Sequence, residues 1–224
     1  SFSDGSTITY TYGADGTKLR TVHKIGSATT TTDYLGNVVY ENGVAKLLLT
    51  GYGYVSLNDK KYHYFLQDYQ GNNRVVVDSS GKVEETSHYY PFGGVFASTG
   101  NVQPYKYNGK ELDAKKGLNW YDYGARMYDP TLGRWHTVDP LAEKFYGITP
   151  YNYCFDNPIK YIDPDGSQGR PARTMRRGPI NGGRPNPYAF YPGGARPQSY
   201  RETTNFSYRG TGLRRQMPLE ANNK

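Results

Sequence analysis

The chain has few of the features that cross-link a protein or hold it in a membrane. Cys154 is the single cysteine among 224 residues, so no disulfide can form within the chain. No apolar run approaches the length of a membrane-spanning helix, and no signal peptide opens the sequence. The four histidines are scattered without metal-ligand spacing, which predicts no metal site. We also expect no cofactor and no membrane span.

Common catalytic motifs are missing as well. The sequence contains no G-x-S-x-G nucleophile motif, no P-loop and no dinucleotide-binding fingerprint. Cys154 stands between Tyr153 and Phe155 without a local base, so we expect a buried structural thiol rather than a nucleophile.

The positive charge is confined to the last quarter of the chain. The net charge is +7, but residues 1–167 carry 16 basic and 18 acidic side chains, whereas residues 168–224 carry 11 and 2. A nucleic-acid interpretation of the basicity therefore applies to the tail alone.

Tyrosine is abundant, and it determines the predicted fold class. There are 24 Tyr, 27 Gly and 14 Pro, with eight Phe and three Met. Tyrosine with Thr and Val favours strands, and no segment keeps apolar residues at helical spacing over three turns. We predict an all-β chain whose helices are short.

Three segments repeat the order aromatic strand, turn, strand: Ile8 to Val22, Asp33 to Gly43 and His63 to Val83. Their turns place Asp or Asn beside Gly, as tight hairpins require. Hairpins of this size cannot bury a face alone, so neighbouring units are expected to pack side by side into a long curved sheet.

These units resemble the YD repeat of Rhs proteins, which winds into a hollow β-shell. The matching residues are Tyr10, Tyr12, Gly16, Tyr34, Gly36, Tyr64, Tyr69 and Gly71. The segment HYYPFGG at His88 to Gly94 resembles the start of the Rhs repeat-associated core domain. The motif Y-D-P-x-x-G-R-W-x-x-x-D-P and the later N-P-x-x-x-x-D-P-x-G resemble its end.

The resemblance divides the chain into three parts. It implies YD-repeat strands over residues 1–85, a short irregular core or plug over 86–166, and a variable tail over 167–224. The tail is rich in Gly, Pro and Arg and is expected to be disordered, because it cannot bury enough apolar surface to offset the entropy of ordering. The start at Ser1, inside a repeat, suggests a fragment with further repeats and a targeting segment upstream.

Asp139 and Asp163 each precede a proline at the end of an apolar strand. Two opposed carboxylates can share a proton, so that one activates water while the other acts as an acid. The resemblance implies that this pair cuts the chain once, in cis, just after a D-P-x-G-L motif. That motif is Asp163 to Ser167 here, which places the cut near Gly166 and Ser167 with serine in place of leucine.

The alternative for both acids is a turn cap that accepts backbone N–H groups. Arg134 is expected to support the pair by contacting one of the two acids or Asp129, or else to form an ordinary structural salt bridge.

The tail offers a further hypothesis. Four arginines, Arg176, Arg177, Arg214 and Arg215, are candidates for binding nucleic-acid phosphates, with aromatic residues between them for stacking. Only Glu202 and Glu220 are available there as acids, which disfavours a nuclease.

The resemblance implies a structural shell that delivers a variable C-terminal segment in a polymorphic toxin system used in interbacterial competition. The expected partners are upstream repeats of the same shell, a cognate immunity protein and secretion machinery, and the expected location is secreted or at the cell surface. Two alternatives stay open: a tail-borne toxin that targets nucleic acid, and a surface adhesin that binds glycans through its aromatic sheet.

Overall fold

The computed structural model of the protein describes residues 1–172. This part is almost entirely β-structure with single-turn 3-10 helices between strands, which confirms the predicted fold class. The strands are β1 Thr7–Tyr12, β2 Lys18–Ile25, β3 Ala28–Leu35, β4 Val38–Glu41, β5 Val44–Thr50, β6 Gly53–Ser56, β7 Lys61–Gln67, β8 Asn73–Asp78, β9 Val83–Tyr89, β10 Val95–Thr99, β11 Glu111–Asp113, β12 Trp120–Asp122, β13 Met127–Asp129, β14 Arg134–Trp135, β15 Tyr161–Ile162 and β16 Arg170–Pro171. The 3-10 helices are Tyr107–Gly109, Lys115–Gly117, Ala142–Lys144 and Cys154–Asp156.

Strands β1 to β10 form one antiparallel sheet whose spatial order is the order of the chain. The three hairpins expected from the sequence are present as β1–β2, β3–β4 and β7–β8. Gly16 and Gly36 occupy left-handed positions in the first two turns, with φ of 80° and 62°, where a glycine avoids the steric cost of a side chain.

One face of this sheet is buried. Side chains alternate along a strand, so every second residue points to the same face. The apolar residues that meet on the buried face are Tyr34, Val39, Leu49, Tyr54 and Val76, joined by Tyr105 from the following segment. The predicted boundary after residue 85 lies within β9, because the sheet continues without a break to β10.

The segment after the large sheet is organised around buried tyrosines. Strands β11 to β14 form a four-stranded antiparallel sheet. Its core contains Tyr89, Tyr107, Tyr121, Tyr123, Tyr128, Trp135, Tyr153 and Cys154. The rings pack mostly tilted or edge-on. The stacked pair Tyr128 and Tyr153 has its centroids 4.0 Å apart, which is closer than the usual range of about 4.5–7 Å for aromatic pairs.

Three tyrosine hydroxyls of this core hold the β9–β10 turn. Each donates a hydrogen bond to a different carbonyl of Pro91, Phe92 and Gly93, from Tyr107 at 2.9 Å, Tyr128 at 2.8 Å and Tyr121 at 2.9 Å. A buried hydroxyl needs such a partner to offset its desolvation. The P-F-G part of the HYYPFGG motif is therefore the turn by which the large sheet is locked to the core segment.

The first residues of the predicted tail belong to the folded part. Strand β16 pairs with β15, so that Ile162 lies opposite Arg170 and Tyr161 opposite Pro171. The expectation of a disordered tail otherwise falls on residues outside those that the structure describes. Within residues 1–172, no helix has the length and apolar character needed to cross a membrane.

Candidate functional site

Arg126 is the centre of a buried polar site in the core segment. It lies between β12 and β13, and its side chain is 1% exposed. Its Nη2 donates to Oδ2 of Asp139 at 3.0 Å and lies 3.7 Å from Oδ2 of Asp163. Asp139 and Asp163, which are 24 positions apart in sequence, therefore meet at one guanidinium.

The same guanidinium reaches the chain at the predicted cleavage position. Nε of Arg126 donates to the carbonyl oxygen of Gly166 at 2.5 Å, and Nη1 donates to the carbonyl of Pro150 at 3.1 Å. The ring of Trp135 covers the guanidinium at 4.2 Å from the centroid. Because charge-assisted hydrogen bonds are stronger where water is excluded, this arrangement polarises the carbonyl of the Gly166–Ser167 peptide bond.

Asp163 is the more deeply buried of the two acids. Its Oδ1 accepts the backbone N–H of Gly166 at 2.8 Å, and those of Asp165 and Ser167 at 3.2 Å each. Burial, with a smaller contribution from Asp165, raises the pKa of Asp163 to about 6, against the opposing effect of these hydrogen bonds and Arg126. Asp163 therefore caps the turn that carries the predicted cleavage position, and it can hold a proton close to neutral pH.

Both carboxylate oxygens of Asp139 accept a hydrogen bond. Oδ1 accepts the backbone N–H of Leu141 at 2.7 Å, and Oδ2 accepts from Arg126. Its side chain is 15% exposed, against 2% for Asp163. The two acids thus sit in different environments, which is the condition for giving them different roles.

A small cavity of about 20 Å³ lies between these groups. Arg126, Asp139 and Asp163 line it together with Cys154, Phe155 and Gln168. A polar cavity needs roughly 10–15 Å³ to hold one water molecule. The site therefore has room for a single water beside both carboxylates.

Cys154 is buried in this lining, and burial raises the pKa of its thiol above the usual value. A thiol that resists ionisation is a poor nucleophile.

Arg134 does not take the place expected for it. Its guanidinium lies 3.2 Å from Asp156, and both side chains are substantially exposed. Asp129 lies opposite Arg134 in the β13–β14 register, but its carboxylate accepts the backbone N–H of Thr131 at 2.8 Å and lies 3.3 Å from His136. The cation that contacts both acids is Arg126, and Arg134 forms the ordinary salt bridge that was the alternative for it.

Two residues of the site were not singled out from the sequence. Arg126 is the arginine of the G-A-R-M-Y-D-P run, and Lys110 is the lysine of N-G-K-E. Nζ of Lys110 donates to the carbonyl of Pro164 at 2.6 Å, inside the Asp163 turn. Both residues are single cations in a tyrosine-rich stretch that is expected to be buried. A buried charge requires an acceptor, and this requirement is the signal that could have identified them. Arg176, Arg177, Arg214 and Arg215 lie outside the described residues.

The chain is similar to toxin proteins and to a surface protein over part of its length. It is 43% identical over 96 residues to toxin subunit YenC2 of Yersinia entomophaga, which covers 40% of this chain and 10% of that protein. It is 36% identical over 112 residues to salivary gland surface protein 1 of Aedes aegypti, covering 48% of this chain and 3% of that protein. No protein-family model matches the chain.

The fold is also similar to a solved toxin structure. The match is to the crystal structure of TcdB2-TccC3-Cdc42, with a TM-score of 0.60 and 25% identity, and covers 71% of this chain and 9% of that one. The chain thus spans about a tenth or less of the length of these relatives. Its relatives include toxin subunits, and it shares the β-architecture of the matched part of the solved structure.

Proposed function

We propose that this chain is a segment of an Rhs-type β-shell that ends in a core domain and cuts itself once behind that domain. The observation that carries the proposal is the position of Arg126, which contacts Asp139, Asp163 and the carbonyl of Gly166 at the same time. A turn cap alone needs neither a second carboxylate nor a cation on the carbonyl that follows it.

The geometry supports a hydrolysis of the aspartyl type. A water beside the two carboxylates attacks the carbonyl carbon of Gly166 while the Asp139 carboxylate takes its proton. Arg126 stabilises the negative charge that develops on the Gly166 oxygen. Attack makes the nitrogen of Ser167 tetrahedral and basic, and protonated Asp163, whose Oδ1 lies 3.2 Å from that nitrogen, then transfers its proton to it. The C–N bond breaks, and the new carboxylic acid returns a proton to Asp163, which leaves a carboxylate and an amine.

The contacts favour the bond between Gly166 and Ser167. Its oxygen is held by Arg126 and its nitrogen by Asp163, so both ends of the peptide unit face the groups that would act on them. The family resemblance places the cut one bond later, after Ser167. The two products differ by one serine residue in mass, which mass spectrometry resolves.

The test is the intact mass of the purified chain at neutral pH, measured under denaturing conditions. We expect two pieces from the unsubstituted chain and one uncut chain from Asp139→Asn and from Asp163→Asn. Asp129→Asn is the matched control, because Asp129 also precedes a proline but its carboxylate caps a different turn. Cleavage in all variants would point to acid-labile Asp-Pro bonds or a contaminating protease.

An intact unsubstituted chain would favour a second candidate, a purely structural shell segment. That candidate also has an observation behind it, since Oδ1 of Asp163 accepts three backbone N–H groups as a turn cap does. Under it, Asp139, Asp163 and Arg126 hold the turn and have no chemical role.

The wider proposal concerns the longer protein to which this chain would belong. Toxin subunits and a surface protein are among its relatives, so we propose a secreted or surface-exposed toxin system in which the shell presents its C-terminal segment. Strand β1 is the last strand at one edge of the sheet, and its free backbone groups suit pairing with a preceding repeat. An immunity protein and secretion machinery are the partners that this role requires.

A further inference from the structure

The segment that follows the proposed cut is folded and packs against the core segment. Residues 167–172 fold back onto the residues that precede the cut, and β16 pairs with β15. Ala172 is 4% exposed, and its backbone N–H donates to the carbonyl of Lys160 at 2.8 Å. Strand pairing and burial are non-covalent contacts, and they remain when a peptide bond elsewhere breaks.

Gly169 brings the segment after the proposed cut into close contact with residues that precede it. A Cβ atom placed on Gly169 would lie 3.0 Å from Cε2 of Phe155 and 3.4 Å from the Cα of Cys154. The segment therefore packs closely against the 3-10 turn at Cys154–Asp156, and a side chain at position 169 would require Phe155 to shift. We name the surface formed by Cys154, Phe155, Lys160, Tyr161 and Ile162 the retention groove.

The ends created by the cut would each meet an opposite charge. Hydrolysis adds one water and converts the neutral peptide unit into a carboxylate on Gly166 and an ammonium on Ser167. The Gly166 oxygen already accepts from Arg126, and the Ser167 nitrogen lies 3.2 Å from Oδ1 of Asp163 and 3.1 Å from Oδ1 of Asp165. Charged hydrogen bonds are stronger than neutral ones, so the cut strengthens the contacts at both ends.

We propose that the retention groove is a product-binding site that holds the C-terminal segment after self-cleavage. The inference rests on the proposed function, because it takes the cut to fall next to Ser167. Its consequence is that cleavage and release are separate events: the bond breaks while the first residues of the new segment stay bound, and a later disturbance of the groove frees them.

The experiment compares the same purified chain, residues 1–224, under denaturing and native conditions. Denaturing mass spectrometry reports whether the bond is cut, and native mass spectrometry with size-exclusion chromatography reports whether the pieces stay together. Two pieces under denaturing conditions that migrate as one species under native conditions are expected. Two pieces that separate in both would overturn the proposal.

Substitutions beyond the cut test the groove itself. Ala172→Lys introduces a long charged side chain at a buried position and should speed dissociation of the cleaved segment about tenfold, since interface changes act mainly on the off-rate. Gly169→Ala should act in the same direction through Phe155. Arg170→Ala is the matched control, because its side chain is exposed and its backbone pairing is unchanged. Equal dissociation from all three variants would contradict the assignment.

A second experiment tests the retention groove even if self-cleavage does not occur. If the chain stays whole, residues 1–166 and 167–224 are produced together as two chains, which differ from residues 1–224 only by the absence of that bond. Co-purification of the two, abolished by Ala172→Lys, would support the groove although self-cleavage had failed. Independent purification would overturn the groove as well.

Discussion

The side-chain nitrogen of Lys18 lies 2.9 Å from Oε2 of Glu111, and this ion pair joins the large sheet to the core segment. The same nitrogen lies 3.0 Å from Oδ2 of Asp122, and the Lys18 side chain is 4% exposed. Burial opposes the charge of Lys18, but the two carboxylates outweigh it and raise its pKa above the usual value. A buried cation with two acceptors fixes how the sheet sits on the core.

Lys18→Met should therefore destabilise the fold strongly. It leaves the charges of Glu111 and Asp122 without a cation beside them, and breaking a buried ion pair in this way costs about 3–5 kcal/mol. Lys61→Met is the control, because Lys61 pairs with Asp59 at 3.4 Å where both side chains are largely exposed, and such a change stays within about 0.5 kcal/mol. Urea unfolding of both variants measures the difference, and equal effects would contradict this account.

The Phe92–Gly93 turn offers a second test of how the two sheets are joined. Gly93 has φ of 90°, and a Cβ atom there would lie 2.6 Å from the ring of Tyr107. That ring is fixed by its hydroxyl bond to Pro91. Gly81 has a similar φ of 86° but nothing within 4 Å of its Cβ position.

Gly81→Ala should cost about 1–2 kcal/mol through the backbone alone. Gly93→Ala should cost a further 1–3 kcal/mol, roughly the penalty for overpacking a core. Thermal unfolding of the two variants compares them directly. Similar losses of stability would mean that the Tyr107 ring moves aside.

The hairpins could be predicted from the sequence, whereas the partner of the acids could not. A turn such as Asp15-Gly16 is encoded by adjacent residues, so its conformation needs no long-range information. Asp139 and Asp163 were also identifiable, because each is marked by the proline after it. The arginine that joins them depends on which loops fold together: Arg134 is near Asp129 in the strand register but pairs with Asp156, while Arg126 reaches both acids across 13 and 37 positions.

The raised pKa of Asp163 predicts how stability depends on pH. Its folded-state pKa is about 6 against an ordinary value of 3.8, so the folded state binds the proton more tightly than the unfolded state. Stability should therefore fall as the pH rises from about 4 to about 6 and level off above that, by on the order of 3 kcal/mol.

Asp163→Asn should remove this slope, because an amide does not titrate. Both proteins are compared in an Asp139→Asn background, in which the chain is expected to stay whole, by urea unfolding across the same pH range. A stability difference between the two that does not change with pH would contradict the burial argument for Asp163.

Arg126→Lys should abolish most self-cleavage while keeping the positive charge. Lysine has a single donor group and cannot hold the Gly166 carbonyl and Asp139 at once as the guanidinium fork does. Loss of one oxyanion donor typically lowers a rate by about 10²–10³-fold. The rate is followed by denaturing mass spectrometry after rapid purification. The unfolding midpoint is measured in parallel, so that a loss of rate can be told from a loss of fold.

Arg134→Lys is the matched control, because Arg134 makes its ion pair with Asp156 in a largely exposed position. Its cleavage rate should match that of the unsubstituted chain. A rate that falls equally in both variants would assign Arg126 to the stability of the core and remove it from the chemistry.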